Sequence, residues 1–227
     1  MPGNTMIKLL LTDSGVNNKS IHDALVDLLG KPIEESNALC IPTAGYGHPQ
    51  GSPQGAYRFV SGHQHPCPMT SLGWKSVGIL ELTALPSLER ERWVGWVQAA
   101  DALLANGGDA LFLAYWMRQS GLADLLPEMD DKVWVGFSGG SMAMTPRIGS
   151  DFVGWKSPAG GDETLGLVDF SIFPHWNNPM CPWNTTENAE KWAAEIGSKA
   201  YATDDQTAFK VVDGNVEIVS EGTWKLF

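Results

Sequence analysis

Val133-Trp134-Val135-Gly136-Phe137-Ser138-Gly139-Gly140-Ser141 decides how the rest of the chain is read. Val133 to Phe137 form a candidate strand, and Ser141-Met142-Ala143-Met144 can open a helix. Between them, glycine stands two residues before and two after Ser138. That spacing lets a strand-to-helix turn close very tightly without a Cβ clash and leaves the serine hydroxyl exposed at its tip. The other reading is a glycine turn with an idle serine. The strand on one side and the helix on the other argue against it.

Outward from this turn, short apolar runs alternate with amphipathic ones. Ile7 to Leu11 is a candidate strand ended by Thr12-Asp13-Ser14-Gly15, and Ile21 to Leu29 has helical spacing with Gly30 as a stop. Further strands are expected at Ala38 to Ile41, Val77 to Leu82, Ala102 to Ala105 and Val168 to Phe173. Helices are expected over Trp93 to Ala100, Ala110 to Arg118 and Glu187 to Ile196. Ala208 to Val212 and Val216 to Val219, joined by Asp213-Gly214-Asn215, read as a C-terminal β-hairpin. Strands alternating with helices imply a three-layer α/β fold with a mostly parallel sheet covered on both faces. Active groups in such sheets gather beyond the carboxyl ends of the strands. The turns after residues 12, 42, 105 and 137 all fall there. Gly45 to Leu72, rich in Gly, Pro, Ser, His and Gln, is the least regular stretch and is expected to shape a pocket mouth.

The 227 residues suit one domain spanning 1–227. A net charge of −11 argues against nucleic-acid binding, which rests on clustered Lys and Arg. Three cysteines without C-x-x-C spacing give no disulfide framework. No secretory signal is visible, and no apolar run approaches the ~20 residues of a membrane span. The reading is a cytoplasmic protein, monomer or homodimer, with no nucleic-acid or membrane partner.

A serine hydroxyl needs a base to take its proton. Of His22, His48, His63, His65 and His175, the last ends a strand on the rim where Ser138 also lies, and so it is the favoured base. A third group must orient the base, and either Asp151 or Asp205 can supply the carboxylate. The backbone N–H of Gly139, with one from Asn106-Gly107-Gly108, can form an oxyanion hole. His63-x-His65-x-Cys67 lacks a second ligand pair, so no metal is expected. No G-x-G-x-x-G or Walker pattern is present, so no nucleotide cofactor is expected either. The ten tryptophans are spread along the chain, and most of them read as core or pocket wall.

With these residues in view, the chain resembles the peptidase E (aspartyl dipeptidase) family of serine peptidases, whose relatives include cyanophycinases. Three stretches carry the resemblance: Asn106-Gly107-Gly108-Asp109, Gly136 to Ser141, and Gly166-Leu167-Val168-Asp169-Phe170-Ser171-Ile172-Phe173-Pro174-His175. The resemblance implies a flavodoxin-like sheet of the class I glutamine amidotransferase type. It further implies Ser138 as nucleophile, His175 as base, Gly108 and Gly139 as oxyanion hole, and an acid near Asp151, with Asp205 in reserve. Asn106, Asp109 and Asp205 are candidates for contact with substrate. Two departures stand out. Asn106 and Asp109 replace a glycine and an asparagine of the family's Gly-rich turn. The arginine by which peptidase E reads an N-terminal aspartate is missing downstream of His175, where Asn184 to Asn188 includes Glu187. A substrate-clamping arginine would then be Arg58, Arg118 or Arg147.

The expected activity is therefore hydrolysis of a small peptide or amide through an acyl-enzyme, without strict Asp-X specificity. The alternatives are a silent small-molecule-binding homologue and a short-chain esterase; the latter fold carries a later histidine than His175.

Overall fold

The computed structural model describes residues 7–63 and 68–227. Ten strands are formed among them. They are β1 (Lys8–Thr12), β2 (Asn37–Ile41), β3 (Ser76–Ile79), β4 (Ala102–Ala105), β5 (Val133–Phe137), β6 (Ser171–Phe173), β7 (Ala200–Thr203), β8 (Thr207–Val212), β9 (Asn215–Ser220) and β10 (Trp224–Leu226). The helices are α1 (Lys19–Leu29), α2 (Ala44–Gly47), α3 (Pro53–Val60), α4 (Arg90–Gln98), α5 (Ala110–Ser120), α6 (Gly139–Met142) and α7 (Thr186–Ile196).

Seven strands make one sheet in the order β3-β2-β4-β5-β1-β8-β9. The first five of that order are parallel; β8 runs antiparallel to β1, and β9 to β8. Side chains alternate across the sheet, as the pleat requires. Leu9 and Leu11, Leu103 and Trp134 feed one apolar cluster, and Leu10, Leu104, Val133 and Val135 feed the other. α4 and α5 close the first face with Trp93, Val97, Leu113 and Met117; α1 and α3 close the second with Ile21, Leu25, Leu28 and Phe59. This is the expected three-layer α/β architecture. No helix among the described residues is long and apolar enough to cross a membrane.

Local chemistry fixes the boundaries. Asn18 Oδ1 accepts the N–H of Ile21 at 2.9 Å to start α1, and Gly30 ends it in the left-handed conformation. Asp213 and Gly214, both at positive φ, form the two-residue turn between β8 and β9 that matches the natural twist of a hairpin.

A second sheet, β10-β7-β6, was not anticipated; β7 and β10 are too short for a periodic signal. α7 packs on it through Ala189, Trp192, Ala193 and Ile196, which meet Phe173, Ala200 and Ala202 in a third cluster. Other boundaries also shift. The strand expected over 168–173 begins at Ser171, because the N–H groups of Leu167 and Val168 turn back to the carbonyl of Met144. The strand expected over 77–82 ends at Ile79. The irregular stretch 45–72 contains α3, capped by Ser52 with Pro53 at its first position. Most of the tryptophans are buried or partly buried, as expected; Trp96, Trp183 and Trp224 are exposed.

Asp204 joins the two sheets. Its Oδ1 accepts from Gln206 N at 3.0 Å and Thr207 Oγ1 at 2.9 Å, and its Oδ2 from Thr223 N at 2.6 Å and Thr223 Oγ1 at 2.8 Å. The β7–β8 turn and the β9–β10 connection therefore share one carboxylate. Asp204→Ala is expected to lower stability by about 2 kcal/mol, the scale of hydrogen bonds to a charged group, in urea unfolding; Asp204→Asn should lose less.

Candidate active site

β5 delivers Ser138 to the carboxyl rim of the large sheet at φ 48° and ψ −111°, outside the conformations a side-chain-bearing residue adopts freely. Neighbouring contacts enforce this strained turn. Ser138 N donates to Thr12 O at 3.1 Å, Ser141 Oγ to the same carbonyl at 2.7 Å, and Trp134 Nε1 to Gly140 O at 3.1 Å. A Cβ on Gly136 would lie 2.7 Å from Gly140 O, which is why glycine is required there. Gly139 opens α6, so its N–H has no carbonyl one turn earlier to receive it. It sits against the backbone of Gly108 in the turn after β4, bringing together the two glycines expected to serve as oxyanion donors.

His175 follows β6 and Asp205 follows β7, and these strands are parallel neighbours in the small sheet. His175 Nε2 lies 2.9 Å from Ser138 Oγ, and its Nδ1 lies 2.9 Å from Asp205 Oδ1. Ser14 Oγ donates to the same Asp205 oxygen at 2.7 Å, Asn17 Nδ2 to the Asp205 carbonyl at 2.7 Å, and Asn178 Nδ2 to Asp205 Oδ2. Hydrogen bonding from His175 holds the Asp205 carboxyl below the usual aspartate range against the opposing effect of partial burial; Ser14 and Asn178 add to it.

Asp13 lies on the inner side of His175, with its side chain fully out of solvent. Its two oxygens accept the His175 backbone N–H at 3.0 and 2.9 Å, and Oδ1 lies 3.4 Å from Nδ1. Burial pushes the Asp13 carboxyl up to about 7, even though His175 pulls the other way. For His175, burial favours the neutral ring, but the charge of Asp13 and the hydrogen bond and charge of Asp205 outweigh it and leave the imidazole above its ordinary value.

Asp151, the acid expected from the resemblance, is not part of this chain of hydrogen bonds. It is exposed in the one-turn helix Ser150–Phe152 on the cleft wall. Ser150 N and Oγ donate to Glu195 of α7 at 2.9 and 2.8 Å, while Gly149 N donates to Asp162 Oδ2 at 2.8 Å; these contacts tie the segment away from the imidazole. Asp205, the alternative, takes the position beside Nδ1. Asp13, Ser14 and Asn178 were missed. The location of Thr12-Asp13-Ser14-Gly15 at a strand's carboxyl end was the signal for the first two; Asn178 carried none.

Ser138 and His175 open onto a cleft of about 880 Å³, also lined by Asn106, Gly108, Asp109 and Asp151. Asn106 is buried. Asp109 caps α5 through Phe112 N at 2.8 Å and accepts Trp155 N at 2.5 Å, so both its oxygens are spent on wall structure. His48, His63 and Arg58 line the same cleft. Arg147 pairs with Asp162 at 3.1 Å and Arg118 donates to Thr164 O at 2.6 Å. His22 is exposed on α1, while His65 and Cys67 lie outside the described residues.

A strained serine at the end of a parallel strand, in line with a histidine and a carboxylate, defines a serine hydrolase. The sequence matches peptidase family S51 over residues 9–219, and the chain belongs to that family. It is a serine peptidase, and its substrate is a peptide. The fold is similar to the 1.5 Å crystal structure of a candidate peptidase E from Listeria monocytogenes EGD-e, with TM-score 0.67, 19% identity, and 96% of this chain and 100% of that one covered. It is also similar to a peptidase from an acI-B1 Actinobacterium, with TM-score 0.57, 19% identity, and 99% and 95% covered. No curated protein matches the chain.

The Gly108–Gly139 approach leaves no room for a side chain. A Cβ on Gly139 would stand 2.2 Å from the Gly108 carbonyl oxygen. Gly139→Ala is expected to destabilise by about 1–3 kcal/mol, the usual cost of overpacking, measured as a lowered thermal midpoint.

Proposed function

We propose that the chain hydrolyses small peptides through an acyl-enzyme, with Ser138 as nucleophile, His175 as base and Asp205 as the orienting acid. The observation that carries this reading is the line Ser138 Oγ–His175 Nε2–His175 Nδ1–Asp205 Oδ1, with 2.9 Å at each hydrogen bond. Asp205 accepts from Nδ1–H, which leaves the Nε2 lone pair facing the serine. Ser138 attacks the scissile carbonyl as Nε2 takes its proton. The oxyanion of the tetrahedral intermediate is received by the N–H groups of Gly108 and Gly139. Nε2–H then protonates the leaving amine. Water, activated by the same nitrogen, cleaves the ester and restores Ser138.

The substrate is a short peptide with no strict need for an N-terminal aspartate. Glu187, in the stretch where the resemblance places an arginine, is an exposed α7 residue paired with Lys191 at 2.7 Å. Of the three arginines open to a clamping role, Arg147 and Arg118 are engaged elsewhere, and Arg58 lines the cleft. From Ser36 to Leu80 the chain has no Asp or Glu, against 26 overall, so the cleft-lining residues that this stretch contributes, Arg58 among them, are all neutral or basic. Arg58 is assigned to a carboxylate of the peptide, and Asn106 to the pocket floor.

A fluorophosphonate probe is expected to give one adduct by intact mass, lost in Ser138→Ala and His175→Ala. Asp205→Asn should label more slowly by a factor on the order of 10²–10⁴, while Asp151→Asn labels like the parent protein. Absence of labelling in the parent protein would favour the silent-homologue reading. Arg58→Ala should raise KM roughly tenfold, the scale of one charged hydrogen bond, for dipeptides with a free carboxylate. It should leave KM for their C-terminal amides, and kcat for both, nearly unchanged in a steady-state peptide screen.

A further inference from the structure

His175 is held in an unfavourable conformation. Its φ is 54°, in the left-handed region that residues other than glycine enter rarely. Pro174 precedes it, with its carbonyl fixed by Asn184 Nδ2 at 2.7 Å; the His175 carbonyl accepts Asn178 N at 3.1 Å. The remaining backbone group, the His175 N–H, points inward to Asp13 and is received by both carboxylate oxygens. A buried N–H without a partner is costly, and Asp13 is the acceptor supplied for this one.

Resting on the reading of His175 as base, we propose that Asp13 is a positioning residue that fixes the strained His175 backbone and so keeps the imidazole in line between Ser138 and Asp205. Asp13 follows β1, the strand whose end also anchors the serine turn through the Thr12 carbonyl. One strand end thus sets nucleophile and base relative to each other. The position carries a carboxylate rather than an amide, although a neutral oxygen would satisfy the N–H. In its ionised form the carboxyl adds a second negative charge 3.4 Å from Nδ1, which stabilises the imidazolium formed when Ser138 gives up its proton.

The ionisable groups around Asp13 are His175 and Cys181 from the β6–α7 connection, and Asp204 and Asp205 from the β7–β8 turn. His175 is the group among them that can be positive near neutral pH, so protons on Asp13 and His175 titrate as a pair. Asp13 raises the pH at which His175 becomes a free base. Removing its charge must move the acid limb of serine activation to lower pH, while weakening the imidazolium in the transition state.

The test combines Asp13→Ala and Asp13→Asn, each checked for native thermal unfolding. Saturation labelling with the fluorophosphonate separates kinact from KI. Asp13→Ala should lose about 100-fold in kinact, the scale of an ångström-level misplacement, with KI unchanged. Asp13→Asn keeps an acceptor for the backbone N–H and should recover most of that loss, with its acid limb about one pH unit lower. NMR titration of the His175 imidazole, identified by its absence in His175→Ala, reads the same charge effect without catalysis and should show the same downward move. Full labelling rate in folded Asp13→Ala, or an unmoved His175 titration in Asp13→Asn, would overturn the proposal. If parent protein and Ser138→Ala label alike, the serine mechanism itself fails, and the His175 titration still decides the role of Asp13.

Discussion

The antiparallel pairing of β8 with β1 is the constraint on which the site depends. Parallel strands alone bring Ser138, the Gly107-Gly108 turn and Thr12-Asp13 to one rim, because they all end there. His175 and Asp205 belong to the small sheet and need another route. Since β8 runs opposite to β1, Ala208 near its start lies beside Thr12 at the end of β1, and Asp13 N donates to Thr207 O at 3.1 Å. The β7–β8 turn is thereby pinned to the rim, carrying Asp205 with it. β6, paired in register with β7, brings His175 alongside. One pairing thus converts two separate sheets into a single reactive centre.

The division of labour between Asp204 and Asp205 follows from the same junction. Adjacent residues in a turn point apart. One carboxylate is spent on the four hydrogen bonds that shape the turn, and the other is free to meet the imidazole. Asp109 resembles Asp204 in this respect: it is acidic and beside the cleft, yet its oxygens are taken by backbone N–H groups. Proximity to the cleft does not tell a reactive carboxylate from a structural one; the partners of its oxygens do.

The large sheet was legible in the sequence because each of its main segments is a short, mainly apolar run closed by a turn: Thr12 to Gly15, Pro42, Asn106 to Gly108, Ser138 to Gly140 and Asp213 to Asn215. Ser138 and His175 were legible for the same reason, since each terminates such a run. The small sheet was not. Ala200-Tyr201-Ala202-Thr203 has weak strand character, and Trp224-Lys225-Leu226 spans too few residues for alternation to show. Without β7 there was no way to see that Asp205 ends a strand next to His175. The choice between Asp151 and Asp205 therefore rested on chain spacing, which carries no information about a contact made across two sheets. Asp13 gave still less signal, because its partner is a backbone N–H. α3 was hidden for a different reason: the Gly- and Pro-rich composition around it masked the capping pair Ser52-Pro53.

The third apolar cluster, with α7 and the small sheet, has a kinetic meaning. Ser138 is anchored in the packing of the large sheet, whereas the strands that carry His175 and Asp205 have two apolar supports: Phe173, Ala200 and Ala202 meet Trp192 of α7, and Ile172 and Tyr201 join the cluster of the large sheet. Local openings in proteins tend to follow such packing units rather than the whole molecule. An excursion that loosens α7 therefore removes one of these two supports and leaves the other in place, so the base stays tied to the strand that carries the nucleophile for as long as Ile172 and Tyr201 remain packed on the large sheet.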